Sequence, residues 1–147
     1  MANILVVYYS GTGNTRAMAD AVVEGANQVA GVEVILKEAE QTSVDDLVNA
    51  DALAFGSPTH FSYMAGVLKA MFDKAYLSRS RIRGKPFVAF ASGGGGEAKV
   101  VQSIESIAAS CGLQKVCEGL AVGGMPTDSE RQVCRRLGAS LAKAIAR

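Results

Sequence analysis

Residues 4–16 read ILVVYYSGTGNTR, an apolar run that passes directly into a loop of small and hydroxyl-bearing residues. The apolar run predicts a β-strand covered on both faces, because it is nearly continuous instead of alternating with polar residues. A helical pattern of apolar positions begins at about Asn14. A strand, a small-residue loop and a helix N-terminus in this order predict an α/β domain with an anion-binding site at the loop.

The same alternation of apolar runs and helical patterns continues along the chain. Five strands are predicted, at Asn3–Tyr8, Glu33–Lys37, Ala52–Gly56, Phe87–Ala91 and Lys115–Val122. Five helices are predicted, at Asn14–Val29, a short one from Ser43, Met64–Tyr76, Glu97–Cys111, and one whose capping box is Thr127 and Glu130. Strands joined by helices form a parallel sheet between two helix layers, here in the order 2-1-3-4-5 or as half of a dinucleotide-binding sheet. Either order places ligands beyond the carboxyl ends of the strands.

Composition sets the broad class of the protein. The chain has 147 residues, of which 49% are hydrophobic and 20% charged, and this predicts one globular domain over residues 1–147. No apolar run reaches the ~18 residues of a membrane helix, so no membrane partner is expected. The three cysteines include no CxxC pair, which argues against a disulfide framework or a zinc site and favours a reducing cytoplasm.

Charge is unevenly distributed along the chain. Residues 1–73 contain three Lys/Arg and nine Asp/Glu, whereas residues 74–147 contain twelve and five. One basic stretch has no acid in it and consists of Lys74, Arg79, Arg81, Arg83 and Lys85. It is either an anion-binding patch or an ordinary solvated helix end, and no nucleic-acid partner is predicted from it.

The loop after the first strand is the first candidate site. Backbone N–H groups and the helix dipole favour an anion there, and the two glycines let the backbone approach it closely. The candidate ligand-binding residues are Ser10, Gly11, Thr12, Gly13, Asn14 and Thr15. A Walker loop is excluded because no Lys follows, and a dinucleotide fingerprint because Arg16 stands where its third glycine would be. The remaining alternative is a polar turn that only caps the helix.

Two more loops leave the predicted carboxyl edge. The loop after the third strand carries Pro58, Thr59, His60, Phe61 and Ser62, which bring rings and donors to the edge. The loop after the fourth strand carries Ser92, Gly93, Gly94, Gly95 and Gly96. A run of four glycines is either a flexible loop or backbone that lies flat against a ligand.

The first loop resembles the phosphate-binding motif of the flavodoxin family, (S/T)-x-T-G-x-T, from Ser10 to Thr15. This resemblance implies a flavodoxin-like three-layer α/β/α sandwich with a five-stranded parallel sheet in the order 2-1-3-4-5. It also implies FMN as cofactor, with its 5′-phosphate in this loop. No metal site and no catalytic residue follow from it.

The second and third loops resemble those of the NAD(P)H:quinone oxidoreductase branch of that fold. Pro58, Thr59, Phe61 and Met64 match its P-T-R-F-G-x-M pattern, while His60 replaces Arg and Ser62 replaces Gly. Ser92 and Gly94 to Gly96 match its later loop. The resemblance implies that Thr59 to Ser62 contact one side of the flavin ring and Ser92 to Gly96 its pyrimidine end. The ring-facing shield is expected to be Phe61.

The resemblance implies an electron carrier between a reductase and an electron acceptor, both docking at the flavin edge. The alternative is an FMN-dependent NAD(P)H:quinone oxidoreductase, whose branch usually has insertions that this short chain lacks. A non-redox scaffold is a third alternative. The chain is expected to be a monomer or a dimer. By parallel topology, five acidic residues should surround the flavin, namely Glu38, Glu40, Glu97, Asp128 and Glu130.

Overall fold

The strands and helices lie close to their predicted positions in a computed structural model that describes residues 1–146. The strands are β1 (Ala2–Tyr8), β2 (Val32–Glu38), β3 (Ala52–Pro58), β4 (Pro86–Gly93), β5 (Gln114–Lys115) and β6 (Leu120–Gly123). The helices are α1 (Asn14–Asn27), α2 (Val44–Asn49), α3 (Gly66–Tyr76), α4 (Glu97–Ser110) and α5 (Asp128–Ile145). Two short 3₁₀ turns occupy Ala39–Gln41 and Arg79–Arg81.

All strand pairs are parallel, and the sheet order β2-β1-β3-β4-β5 confirms the predicted topology. β6 also pairs with β4, so the prediction of one continuous strand over Lys115–Val122 is wrong. Lys115 lies opposite Phe87, and Leu120 lies opposite Phe90. The chain therefore takes five steps from Lys115 to Leu120 where β4 takes three from Phe87 to Phe90, so two extra residues lie between β5 and β6. A glycine in an apolar run often marks such a bulge, and here Gly119 lies against the Ala89 carbonyl, which a Cβ would approach to 2.6 Å.

Side-chain caps fix where two helices begin. The Ser43 hydroxyl accepts from the Asp46 N–H at 3.1 Å, and the Asp46 carboxylate accepts from the Ser43 N–H at 2.9 Å, which completes a capping box. Thr127 and Glu130 form the same box at α5. The Ser43 backbone N–H and then Lys37 lower the pKa of Asp46, because both favour its charged form.

The sheet has an apolar core on each face. One core lies under α3 and α4 and includes Phe55, Leu68 and Phe87; the other lies under α1 and α5 and includes Met18 and Phe90. The rings of Phe55 and Phe72 are 4.8 Å apart. The central strands are buried on both sides, as their nearly continuous apolar sequences predicted.

Helices α1 and α5 are in direct backbone contact at two glycines. A Cβ on Gly25 would lie 1.8 Å from the Arg135 carbonyl oxygen, and a Cβ on Gly138 would lie 1.9 Å from that of Val22. Neither helix can relieve such a clash by rotating a side chain, because backbone atoms form the contact. The contact therefore fixes α1, whose N-terminus follows the first candidate loop.

Lys85 does not contribute to an exposed basic stretch as its position in the sequence suggested. Its ammonium group donates to the Leu47 carbonyl at 3.2 Å, the Val48 carbonyl at 2.6 Å and the Ala50 carbonyl. These are the free carbonyls at the C-terminus of α2, so Lys85 caps that helix from a distant part of the chain.

None of the helices in residues 1–146 combines the length and the apolar character that crossing a membrane requires.

Candidate functional site

The three candidate loops meet at the carboxyl edge of the sheet. The Tyr9 N–H donates to the Gly56 carbonyl at 3.2 Å, which joins the ends of β1 and β3. The Thr59 hydroxyl donates to the Ser92 carbonyl at 2.9 Å, which joins the second and third loops. The loops therefore form one surface, as the topology predicted.

The first loop folds around the hydroxyl of Ser10. This oxygen accepts from the N–H of Gly13 at 3.0 Å and from that of Arg16 at 3.3 Å. Gly13 has φ 97°, a left-handed conformation that glycine adopts without strain, and it is the N-cap of α1. Ser10 thus shapes the loop, a role that its residue type alone did not reveal.

The loop presents N–H groups that no protein atom uses. Within residues 1–146, the N–H groups of Gly11, Thr12, Asn14 and Thr15 are among those without a protein acceptor. The first two precede α1 and the last two form its first positions, so the partial positive charge of the helix end adds to them. Such an array of donors suits an anion.

The cation next to the loop is already engaged. The Arg16 guanidinium donates to Asp20 at 2.9 Å and to the Tyr8 hydroxyl at 2.7 Å, and the bond to Asp20 raises the pKa of Arg16. The first loop therefore offers an anion backbone N–H groups and hydroxyls, and not a free arginine.

A buried hydroxyl pair ties the first loop to the third. Thr15 and Ser92 are 1% and 2% exposed, and their hydroxyl oxygens are 2.8 Å apart. Either hydroxyl can be the donor. When Ser92 donates, the Thr15 proton is free for an anion in the loop, so the two loops share one hydrogen-bond network.

The second loop ends in a tight two-residue turn. His60 and Tyr63 exchange two backbone hydrogen bonds, of 2.9 and 3.0 Å, and Phe61 and Ser62 between them have φ 57° and 60°. Positive φ at both central positions is the pattern of a type I′ turn, which normally selects Gly or Asn. The Phe61 side chain is fully exposed at the tip of this turn, and its expected contact with the flavin ring stays a prediction.

Three of the four glycines of the third loop, Gly93, Gly95 and Gly96, are required by their neighbours or by their backbone angles. A Cβ on Gly93 would lie 2.3 Å from the Thr59 hydroxyl, and one on Gly96 would lie 2.8 Å from that of Ser62. Gly95 and Gly96 also have φ 145° and 85°. Because these positions are sterically fixed, the glycine run is a shaped surface and not simply a flexible connection.

Two contributors to this surface were not identified from the sequence. The Tyr9 ring meets His60 edge-on, with centroids 6.1 Å apart, so it joins the aromatic groups at the edge. The Gly124 N–H donates to the Gly93 carbonyl at 2.8 Å, which brings the β6–α5 loop against the third loop. The position of Tyr9 directly after β1 was the available signal; Gly124 gave none.

The cysteines take no part in this surface. Burial raises the pKa of Cys111, Cys117 and Cys134, the last to about 12. A protonated buried thiol is a poor nucleophile at neutral pH. Within residues 1–146, no cluster of His, Cys, Asp and Glu could hold a metal ion.

The donor set fits a phosphorylated planar ring. The first loop offers unpaired N–H groups for a phosphate, while the second and third loops offer rings, hydroxyls and bare glycine backbone beside it. These are the groups through which FMN can be bound and oriented.

Comparison with known proteins identifies the family. The model of the family described as Flavodoxin matches residues 6–138. A flavodoxin of Aquifex aeolicus is 34% identical over 99% of this chain and 88% of its own length. The solved structure of a flavodoxin from the domain Archaea superposes with a TM-score of 0.87 at 31% identity, covering 97% of each chain. An NAD(P)H dehydrogenase (quinone) of Geotalea daltonii is 37% identical, but over only 48% of this chain and 46% of that protein.

The family match spans nearly the whole chain, and the sheet order and the donor set of the first loop agree with it. The chain therefore belongs to the flavodoxin family and is an FMN-binding protein of electron transfer.

Proposed function

We propose that residues 1–147 act as a single FMN domain that takes electrons from one redox protein and delivers them to another. The observation that supports this most directly is the first loop, in which several N–H groups, including those of Gly11, Thr12 and Thr15, have no protein acceptor within residues 1–146. FMN, when bound, supplies the redox chemistry, and the protein binds the cofactor, orients it and sets its surroundings.

Each loop has its own role in this proposal. The first loop holds the phosphate through the backbone and side chains of residues Ser10, Gly11, Thr12, Gly13, Asn14 and Thr15. The second loop lines one side of the ring through Pro58, Thr59, His60, Phe61 and Ser62. The third loop lines the pyrimidine end through Ser92, Gly93, Gly94, Gly95 and Gly96. Ser92 serves both neighbouring loops, so we expect the site to be largely formed before FMN binds.

Partners are proposed to dock at the flavin edge and to carry positive charge there. Glu38, Glu40 and Asp128 are exposed; Glu38 ends β2, and Glu40 and Asp128 follow strands whose carboxyl ends lie at this edge. Glu97 and Glu130 lie in the first turns of α4 and α5 at the same edge. Such a field attracts basic partners and speeds association at low salt. We place this exchange in the reducing cytoplasm, by a monomer or a dimer.

Charge reversal tests the docking face. Asp128→Lys is the cleanest variant, because the Glu97 carboxylate also accepts the Gly95 N–H and its loss would disturb the third loop. Electron transfer to a basic haem protein of the cytochrome c type should slow about tenfold at low salt, and less at high salt. The matched control, Arg81→Glu at the opposite end of the sheet, should change the rate little. If Arg81→Glu slowed electron transfer more than Asp128→Lys, partners would dock at the opposite end of the sheet and the proposed docking face would be wrong.

An electron carrier and an NAD(P)H-dependent enzyme differ in whether NAD(P)H alone reduces the bound FMN. The FMN-loaded protein should show the visible spectrum of a flavoprotein and should keep it when NADPH or NADH is added alone. Bleaching should require a reductase. Failure of the purified chain to take up FMN would contradict the site assignment.

The second candidate is an NAD(P)H:quinone oxidoreductase. It is supported by the similarity of part of the chain to the Geotalea daltonii protein and by the match of Pro58, Thr59 and Phe61. Rapid bleaching by NAD(P)H without a partner, followed by recovery of colour on adding a quinone, would favour this function over the carrier.

A further inference from the structure

A basic surface lies at the end of the sheet opposite the FMN loops. Helix α3 returns from the carboxyl edge to the amino edge, so the residues after it lie where β4 begins. We call this the basal basic surface and define it by the exposed residues Lys74, Arg79, Arg81 and Arg83. β4 has eight residues, so about 25 Å separates this surface from the FMN loops.

The four cations are not neutralised by the protein. Residues 74–85 contain no Asp or Glu, and none of the four forms an ion pair within the described residues 1–146. Elsewhere, by contrast, several cations have an acidic partner, such as Arg16 with Asp20. With Lys85 withdrawn to cap α2, the remaining charge of the stretch faces solvent.

Exposed apolar groups accompany this charge. Tyr76 is 51% and Leu77 86% exposed. The Arg79 guanidinium lies 4.0 Å from the centre of the Tyr76 ring and donates to the Tyr76 carbonyl at 2.8 Å. Tyrosine and arginine are the residue types most often found at energetic hot spots of protein interfaces, and this pair is already held in place.

A cleft opens beside this pair, between α3 and α4. Its apolar lining includes Phe72, Tyr76 and Ile107, and its volume is about 290 Å³. Lys69 and Asp73 at the cleft pair with each other at 2.6 Å and so neutralise one another. The volume is at the lower limit of small-molecule sites, about 300–1,000 Å³, and suits one large apolar side chain.

We propose that the basal basic surface docks an acidic segment of another protein. Carboxylates of the segment pair with the four cations, and one apolar side chain enters the cleft beside Tyr76. A nucleic acid fits less well, because Tyr76 is the single aromatic residue in 74–83 and Arg79 covers one face of its ring. Docking at this end leaves the FMN loops free, so the protein can be tethered while it exchanges electrons.

The probe is a fluorescein-labelled 12-residue peptide of Asp and Glu with a central Leu-Phe pair, titrated with the FMN-loaded protein by fluorescence anisotropy at low salt. We expect saturable binding, weakened about tenfold by the double variant Arg79→Glu/Arg81→Glu and several-fold by Leu77→Ser. The matched control is Lys99→Glu/Arg131→Glu, which changes the net charge equally at the opposite end and should alter affinity less than about twofold. Arg79→Gln/Arg81→Gln gives an intermediate loss and serves if charge reversal impairs folding, which circular dichroism reports.

Three results would overturn the proposal. Equal weakening by both charge-reversal pairs would mean that only long-range attraction is at work. Equal binding of a peptide with Ser-Ser in place of Leu-Phe would remove the role of the cleft. Tighter binding of a single-stranded 12-nucleotide RNA, or of vesicles containing phosphatidylserine, would assign the surface to another class of partner. FMN content and FMN reduction are measured separately, so these results do not depend on the proposed function.

Discussion

Replacing Gly138 by Ala tests whether the contact between α1 and α5 positions the FMN site. The added Cβ would lie 1.9 Å from the Val22 carbonyl oxygen and 2.9 Å from the Ala26 nitrogen, whereas ordinary contacts begin at 3.4 Å. The helices must therefore separate by about 1.5 Å at this point, because both atoms that clash with the Cβ belong to the backbone of α1.

The cost follows from two opposing effects. Overpacking a close-packed contact destabilises by about 1–3 kcal/mol, and the backbone contact favours the upper part of this range. Alanine recovers up to about 1 kcal/mol through its higher helix propensity. We expect the free energy of unfolding to fall by about 2 kcal/mol, which lowers the urea midpoint by about 1 M.

Urea unfolding of the apo-protein, followed by circular dichroism, measures this change, and FMN titration gives a second readout. Because α1 begins at the phosphate loop, its displacement should weaken FMN binding, by about tenfold for each 1.4 kcal/mol of interaction lost. The matched control is Gly66→Ala at the start of α3, where the Cβ would meet no atom within 4 Å. If Gly138→Ala and Gly66→Ala have the same midpoint and the same FMN affinity, the two helices are not in the contact described.

Three further predictions concern the loops and a cap. Thr12→Val should weaken FMN binding about ten- to hundredfold in equilibrium titrations, because a hydrogen bond to the charged phosphate contributes about 1.5–3 kcal/mol, and it should leave riboflavin binding nearly unchanged. Thr15→Val should weaken the binding of both ligands, since the Thr15 hydroxyl also holds the third loop. Gly93→Ala should lower the free energy of unfolding of the apo-protein by about 1–3 kcal/mol in urea titrations, whereas Gly94→Ala, whose Cβ meets no atom within 4 Å, should not; equal values would contradict the loop contact. The lowered pKa of Asp46 means that its stabilisation is present above its unfolded pKa of about 3.9 and is lost as the pH falls through the folded value. Asp46→Asn should therefore be less stable than the parent at pH 7 and nearly equal to it at pH 2, and parallel losses at both pH values would exclude this origin.

Much of the fold could be predicted because local sequence and topology agree. The continuous apolar runs identified buried parallel strands, Ser43 identified the start of α2, and the capping box of Thr127 and Glu130 identified the start of α5. Parallel topology then placed the three loops at one edge without any knowledge of side-chain contacts. These features depend on residues close together in the chain, where sequence patterns are informative.

Contacts between distant residues could not be predicted in this way. Lys85 caps α2 across more than thirty residues, and no sequence pattern marks that pairing. The contact of Gly25 with the Arg135 carbonyl depends on how two helices cross, which the sequence of neither helix reveals. The turn at Phe61 and Ser62 was missed for a different reason, because neither residue is the Gly or Asn that usually indicates positive φ.

The site thus combines fixed loops with one strained turn. The hydroxyl of Ser92 bonds to Thr15 and its carbonyl accepts from Thr59, so one buried residue holds all three loops in register. In contrast, Phe61 and Ser62 occupy a conformation that costs non-glycine residues about 1–3 kcal/mol each, and two backbone hydrogen bonds close their turn. Strain of this kind persists only where the surroundings impose it, and here the hairpin and the close approach of Ser62 to Gly96 do so. The strained turn is therefore also the part of the candidate site that carries the exposed Phe61 ring, at the edge where we propose that electrons enter and leave.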